Sequence, residues 1–198
     1  KASSPINLYG ATKLASDKLF IAGNSYSGIQ DTRFAVVRYG NVMGSRGSVI
    51  PFFISLAHTG ILPITDIRMT RFMITLEQGV ELVWHAFDDM HGGEIYVKKI
   101  PSMAILDIAR AVAPSAKHEI IGIRPGEKLH EEMISQADSH NTIEFKNYFV
   151  MINYKSDILQ AFFKEKNYKN IHLIKEIKPL GTAGALHYFL GKTKQPIF

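Results

Sequence analysis

Apolar side chains recur at helical spacing in several segments of the chain. Leu14, Leu19 and Phe20 follow this spacing within residues 5–26 and predict a helix there, which Gly28 would close. The same spacing predicts further helices over residues 49–58, 75–90 and 103–112. The large side chains of these apolar runs are expected in the core: Phe52, Phe53, Trp84 and Met90.

Short apolar runs alternate with these helices. Residues 32–39, TRFAVVRY, predict a buried strand, and residues 40–48 form a glycine-rich loop, GNVMGSRGS, that offers several backbone amides. Shorter strands are predicted over residues 62–64, 70–74, 94–97 and 118–123. Alternating strands and helices predict an α/β fold with a mostly parallel sheet.

The pattern changes after residue 150. The remaining elements predicted are a helix, a strand and a loop that opens another helix, over residues 152–166, 171–175 and 178–186. The chain starts at Lys1, close to a helix and without an initiator methionine, and it stops at Phe198 inside a strand-like run. We therefore expect a fragment with two modules, residues 1–150 and 151–198.

The composition limits the function classes. With 46% hydrophobic residues and a mean hydropathy near zero, the chain can bury a core, while no apolar run reaches the roughly 20 residues of a membrane span. Its start lacks the layout of a signal peptide, so we expect a cytoplasmic protein without a membrane association. There are no cysteines, and the eight histidines never fall at metal-ligand spacing, which argues against a metal site. The histidines are interpreted as core or surface residues.

The positive charge indicates an anionic partner. The net charge is +5, but the basic residues are dispersed and lack an aromatic RNA-binding pattern, so we expect a small anionic substrate and no nucleic acid. A G-x-G-x-x-G turn between a strand and a helix does not occur in the sequence.

The pair Tyr9 and Lys13 carries candidate chemistry. Spaced i,i+4, the two side chains share one helical face, where a neighbouring ammonium favours the phenolate form and Tyr9 could take a proton from a hydroxyl. Tyr188 and Lys192 show the same spacing, so the pair alone is also compatible with an ordinary exposed helix face.

Five motif blocks in order make the context specific. They are KASSPINLYGATK, RYGNVMGSRGSVIPFF, ITDIRMTRFMITLEQGV, GGEIYVKKIPSM and GIRPGEKLHEEMIS. From Lys1 to about residue 150 the chain closely resembles the inverting UDP-N-acetylglucosamine 4,6-dehydratases of pseudaminic acid synthesis, which are extended short-chain dehydrogenases. The resemblance implies the C-terminal half of a Rossmann-type enzyme with a substrate-binding subdomain.

The resemblance also implies roles for individual residues. Lys1 would exchange the proton at sugar C5, Tyr9 would deprotonate the C4 hydroxyl, and Lys13 would hold the ribose of the cofactor NADP and favour the Tyr9 phenolate. The remaining implied binding residues are Tyr39 for the cofactor and Asn41, Val42, Arg71, Arg124 and Glu127 for the substrate, with the two arginines facing the nucleotide-sugar and Glu127 the uridine ribose.

The implied reaction is an internal redox cycle on UDP-N-acetylglucosamine. Oxidation at C4 acidifies the C5 hydrogen, water leaves from C6, and hydride returns to C6, giving a 4-keto-6-deoxy sugar for surface or flagellar glycans. Members of the family are expected to form homo-oligomers. The family's N-terminal half, with the dinucleotide turn and the acid for dehydration, is not in this sequence, so we expect the chain by itself to be inactive.

Alternatives remain open at this point. The chain could belong to a nucleotide-sugar epimerase of the same superfamily, or be a non-catalytic nucleotide-sugar-binding remnant. Arg71 and Arg124 could be surface arginines, and Asn41 could merely favour a turn, although a guanidinium fork suits a diphosphate.

The last segment resembles a different enzyme. INYKSDILQAFF and IKEIKPLGTAGAL, within residues 152–198, are similar to an internal piece of sugar-1-phosphate nucleotidyltransferases. A fused or rearranged reading frame would account for this junction. The alternative is an ordinary helical extension that begins at a glycine-rich loop.

Overall fold

Five helices and nine strands make up the part of the chain that the structure describes. The computed structural model describes residues 2–27 and 31–152, and residues 1–153 form one compact unit. The helices are α1 (Leu8–Tyr26), α2 (Val49–Leu56), α3 (Leu76–Asp89), α4 (Ile105–Val112) and α5 (Gln136–Ser139), with a 3-10 turn, Ala57–Thr59, after α2. The strands are β1 (Val36–Arg38), β2 (Asn41–Val42), β3 (Ile61–Ile64), β4 (Thr70–Ile74), β5 (Glu94–Lys98), β6 (Ser102–Ala104), β7 (Lys117–Ile120), β8 (Thr142–Glu144) and β9 (Tyr148–Ile152).

Side-chain caps set the starts of the two longest helices. Asn7 is extended and its Oδ1 accepts a hydrogen bond from the backbone N–H of Gly10 at 2.8 Å, so α1 begins at Leu8, three residues later than predicted. Thr75 and Gln78 form a reciprocal capping box at the start of α3. Both helices therefore have a defined first turn.

The main sheet lies between α1 and α3. Its strand order is β1-β5-β9-β8, with β1 parallel to β5 and β9 antiparallel to both of its neighbours. Side chains alternate across it: Ile95 and Val97 pack in the cluster that contains Ile21 of α1, whereas Tyr96 packs with Leu82 of α3. The two helices thus cover opposite faces of the sheet.

A second core forms around α2 and α4. Two small sheets, with strand orders β2-β4-β6 and β3-β7, contribute to it. Its buried side chains are Phe53, Leu62, Ile64, Met69, Met73, Ile105, Ile108 and Ala109. The predicted α/β class is confirmed. The expectation of a mostly parallel sheet is wrong for the described strands, because three strand pairings are parallel and three are antiparallel.

The remaining differences from the predicted elements have local causes. The strand predicted over residues 32–39 pairs only at Val36–Arg38, and the helix predicted from residue 103 starts at Ile105 because Ser102–Ala104 pair with β4 instead. β8, β9 and the short α5 were not predicted. Ile152 ends β9 and does not begin a helix; the other elements predicted beyond it, and Gly28, lie outside the described residues.

Two predicted core residues are exposed. Phe53 is buried at 1% exposure and Met90 packs against the Leu82 cluster, but Phe52 is 44% and Trp84 64% exposed. Trp84 lies on the outer face of α3, opposite the buried Leu82. Both side chains were predicted to be buried because they are apolar. A side chain on a helix is buried, however, only where it faces the elements packed against that helix.

Two features are absent from the residues that the structure describes. Over residues 2–27 and 31–152, no helix has both the length and the apolar character to cross a bilayer. In the same ranges, no group of three or more histidine, aspartate or glutamate side chains could hold a metal ion.

Candidate active site

A cleft of about 910 Å³ collects the predicted site residues. Every one of them that the structure describes lines it: Tyr9, Lys13, Tyr39, Asn41, Val42, Arg71, Arg124 and Glu127. They come from α1, from the segment after β1, from β4 and from the loop after β7. Lys1 lies outside the described residues. The fold therefore brings together positions that are up to 118 residues apart in the chain, from Tyr9 to Glu127.

Tyr9 and Lys13 share one face of α1, as their spacing predicts. The Lys13 Nζ lies 5.6 Å from the centre of the Tyr9 ring. Tyr9 is 57% exposed and lines the cleft. This arrangement suits proton transfer from a bound hydroxyl, with a cation nearby to stabilise the phenolate.

The first turn of α1 is tied to the turn that carries Arg124. Asn7 Nδ2 donates to the carbonyl oxygen of Gly126 at 2.8 Å. Within that turn, Glu127 Oε2 accepts from the backbone N–H of Arg124 at 3.2 Å, and Glu127 N–H donates to the Arg124 carbonyl at 3.1 Å. Gly126 has φ +82°, where a side chain would be strained. The Arg124 turn is thus tied to the start of α1.

Arg71 approaches the cleft from β4. Its Nη1 donates to the carbonyl oxygens of Thr70 at 2.7 Å and Leu129 at 3.3 Å. These bonds engage one of the guanidinium nitrogens, and the side chain is only partly buried. Arg71 is therefore anchored at the cleft wall, which is unlike a freely solvated surface arginine.

The GNV segment forms a strand and not a turn. Asn41 and Val42 make up β2, which pairs in parallel with Met73 and Ile74 of β4. Gly40 precedes it, and a Cβ there would lie 2.4 Å from the carbonyl oxygen of Phe72. Glycine is therefore required at position 40 by the close approach of two backbones, and this approach places Asn41 in the cleft.

Several charged groups of the cleft were not predicted from the sequence. Arg46 of the glycine-rich loop is exposed there, and Lys128 Nζ donates to the Ser3 carbonyl at 2.8 Å. Ser4 Oγ donates to Glu132 Oε2 at 2.7 Å. The Lys128–Ser3 and Ser4–Glu132 hydrogen bonds link the segment before α1 to residues 128–132. The membership of these residues in the motif blocks was the available signal.

A buried ion pair lines the cleft. Arg38 of β1 is 7% exposed, and its Nε donates to Asp17 Oδ2 of α1 at 2.8 Å. Its Nη1 also lies 3.4 Å from Asp138 Oδ2 of α5. Burial raises the pKa of Asp138, but hydrogen bonding with Ser135 and the Arg38 charge outweigh this and hold that pKa below its usual value.

Comparison with solved structures defines the class of the fold. An X-ray structure of Pen from Bacillus thuringiensis matches 77% of this chain with a TM-score of 0.73 at 37% identity, and the match covers 50% of that protein. The dTDP-glucose 4,6-dehydratase of Bacillus anthracis matches 85% of the chain with a TM-score of 0.54 at 14% identity and covers 48% of that protein. The second likeness concerns the fold alone. The architecture is that of an extended short-chain dehydrogenase with a Rossmann-type sheet.

The sequence places the chain within a family. Residues 1–153 match the family described as polysaccharide biosynthesis protein, and the chain belongs to that family. It is 63% identical over 153 residues to an inverting UDP-N-acetylglucosamine 4,6-dehydratase of Campylobacter jejuni, a match to 76% of this chain and 46% of that protein. The resemblance drawn from the motif blocks is confirmed.

A second relative is named for a different activity, epimerisation. A UDP-glucose 4-epimerase of Rickettsia conorii is 37% identical over 181 residues, a match to 89% of this chain and 53% of that protein. This match extends beyond the 153 residues that the family covers. The chain spans about half the length of both relatives.

Proposed function

We propose that this chain carries the substrate-binding region and the catalytic tyrosine of an inverting UDP-N-acetylglucosamine 4,6-dehydratase. The observation that carries the proposal is the convergence of Tyr9 and Lys13 with Arg71 and Arg124 in one cleft. The 63% identity to a dehydratase of that name supports the same substrate.

The cleft suits a UDP-sugar in size and charge. A volume of about 910 Å³ lies at the upper end of the range for small-molecule sites. Arg71 and Arg124 would bind the diphosphate, because a guanidinium offers paired donors to phosphate oxygens. Glu127 would bind the uridine ribose through Oε1, which lies 4.0 Å from Arg124 Nε, since its Oε2 already accepts from the Arg124 backbone. Asn41 and Val42 would contact the sugar.

Tyr9 and Lys13 fit the ribose end of a pyridine nucleotide, for which we propose NADP. When bound, this cofactor would take up the hydride from C4 and later return it. Tyr9 would remove the C4 hydroxyl proton, Lys13 would hold the ribose hydroxyls and stabilise the Tyr9 phenolate, and Tyr39 would contact the cofactor. Lys1 would exchange the proton at C5, which the ketone at C4 acidifies.

The chain would need additional protein for turnover. No glycine-rich dinucleotide turn occurs in the sequence, and the chain spans 46% of the dehydratase relative. We therefore propose that UDP binding persists in this chain and that dehydration requires a Rossmann half from elsewhere. The role in pseudaminic acid synthesis, the cytoplasmic location and homo-oligomer formation belong to the same proposal.

A chimera tests the reaction. The chain would be joined behind the N-terminal half of the Campylobacter jejuni relative and incubated with UDP-N-acetylglucosamine and NADP. We expect a UDP-4-keto-6-deoxy sugar, with deuterium from heavy water at C5. Simple inversion at C4 would instead support the epimerase, which the 37% identity over 89% of the chain favours as the second candidate. No product together with intact UDP binding would leave a nucleotide-sugar-binding remnant.

We also propose that residues 151–198 are a partial nucleotidyltransferase-like segment, on the similarity of KPLGTAGAL to that family's loop. Removal of residues 154–198 would then leave UDP binding unchanged. Weaker UDP binding after this truncation would show that the segment belongs to the same functional unit.

A further inference from the structure

Three chemically active side chains follow one another along α1. Tyr9, Lys13 and Asp17 occupy positions i, i+4 and i+8, and all three line the cleft. A carboxylate one turn after a lysine is within reach of its ammonium, and such pairs attract each other weakly on helices. Local sequence alone thus predicts that Asp17 competes with Tyr9 for Lys13.

The structure shows that Asp17 is engaged elsewhere. Its Oδ2 accepts from Arg38 Nε at 2.8 Å, with the two side chains 13% and 7% exposed. Charge-assisted bonds of this kind are strong when little water competes. Lys13 makes no ion pair with any residue within 2–27 and 31–152, and its Nζ faces the Tyr9 ring.

Arg38 is itself held from several sides. Besides Asp17 it contacts the carbonyl oxygen of Met133 at 3.3 Å, Asp138 Oδ2 at 3.4 Å and the Met151 sulfur at 3.8 Å. These contacts join β1 to α1, α5 and β9. A guanidinium can reach such widely spaced acceptors because its five N–H donors are spread over three nitrogens, whereas an ammonium has three donors on one nitrogen.

We propose that Arg38 is a positioning residue that holds the Asp17 carboxylate away from Lys13, which keeps the Lys13 ammonium available to Tyr9. The role of Lys13 beside Tyr9 in the reaction rests on the proposed function. The sequestration of Asp17 is a property of the chain itself and can be measured without substrate or cofactor.

The test measures the acetylation rate of Lys13 in the full chain with acetic anhydride at fixed pH, read by peptide mass spectrometry. Lys117, exposed on β7, serves as the internal reference. In Arg38→Met, Asp17 turns to Lys13, and the acetylation of Lys13 slows by about 1.5- to twofold. In the double variant Asp17→Asn/Arg38→Met the rate returns to that of the wild type. Asp17→Asn alone leaves it unchanged.

A merely structural role gives a different pattern. If Arg38 only clamps α1, Arg38→Met loosens the helix, Lys13 reacts at the same rate or faster, and Asp17→Asn does not reverse the change. Either result overturns the proposal.

Arg38→Lys keeps the test decisive if Arg38→Met does not fold. A lysine at position 38 keeps one charge toward Asp17, so we expect Lys13 to be acetylated more slowly than in the wild type but faster than in a chain whose Asp17 is fully released. A Lys13 rate equal to that of the wild type in a folded Arg38→Lys chain contradicts the proposal. In the wild type, the Arg38 Nε–H should give a slowly exchanging NMR signal that Asp17→Asn accelerates. A chimera without activity would not change the Lys13 acetylation result. An acetylation result that contradicts the role of Arg38 would likewise not bear on the proposed reaction.

Discussion

Asn7 and Gly126 are joined by a hydrogen bond of 2.8 Å across 119 positions of the chain. The same Asn7 side chain caps α1 through Gly10. One amide thus fixes both the start of the helix that carries Tyr9 and the turn that carries Arg124. The proposed catalytic and substrate-binding groups are therefore connected through this side chain, alongside the Lys128–Ser3 and Ser4–Glu132 hydrogen bonds nearby.

Replacement of Asn7 should separate these two roles. Asn7→Ala removes the cap and the tie, and we expect a loss of about 1–2 kcal/mol in the free energy of unfolding with weaker UDP binding. Asn7→Asp retains the capping oxygen but not the donor. It should therefore weaken UDP binding about as much as Asn7→Ala does, with a smaller loss of stability. Denaturant unfolding and calorimetry measure the two quantities. Equal losses of stability for both variants would contradict the separation.

Tyr9→Phe should abolish turnover in the chimera. The hydroxyl acts in the transition state, so kcat falls by orders of magnitude while KM stays close to the wild-type value. Tyr26→Phe is the matched control, since Tyr26 lies at the far end of α1 and is 86% exposed. A Tyr9→Phe chimera that turns over normally would remove Tyr9 from the catalytic role.

Arg124→Lys should weaken UDP binding although the charge is kept. Loss of paired donors to the diphosphate should reduce affinity roughly tenfold, as expected for a charged hydrogen bond. Arg68→Lys is the control, because Arg68 pairs with Asp66 and does not line the cleft. Isothermal calorimetry with UDP compares the two, and equal affinities would make Arg124 an ordinary surface residue.

Gly40→Ala should disrupt the packing of the GNV segment on β4. The new Cβ would lie 2.4 Å from the Phe72 carbonyl oxygen, and we expect a loss of about 1–3 kcal/mol in unfolding free energy. Gly79→Ala in α3 meets nothing within 4 Å and should stabilise the chain by about 0.5–1 kcal/mol. Thermal unfolding of the two variants should therefore move in opposite directions.

Asp66 should report the pH dependence of the turn between β3 and β4. A hydrogen bond from Arg68 lowers the pKa of Asp66 from 3.8 to about 2. Because this pKa is lower in the folded state, the pair stabilises the fold above pH 3.8, and the contribution is lost as pH falls toward 2. Carboxyl NMR should show a midpoint near 2 that moves back toward 3.8 in Arg68→Gln; an unmoved midpoint would exclude Arg68 as the cause.

The local pattern of the sequence was sufficient to predict most helices and the shared helical face of Tyr9 and Lys13. Tyr9 and Lys13 share a face because helical geometry relates positions four apart, and the apolar periods of α1, α2 and α3 depend on neighbours in the chain. The motif blocks, through their resemblance to a known family, indicated Arg71, Arg124 and Asn41. Information of this kind is contained in short stretches of residues.

Contacts between distant segments decided the rest. Whether Trp84 is buried depends on which side of α3 meets the sheet, and β9 exists because it pairs with β5, more than fifty residues earlier. Asp17 stands one turn after Lys13, where helical spacing favours a pair, yet Arg38 of another element takes its carboxylate. Strands and ions pair with the groups that the folded chain brings within a few ångströms of them. These partners are distant in the sequence and meet only when the core is formed.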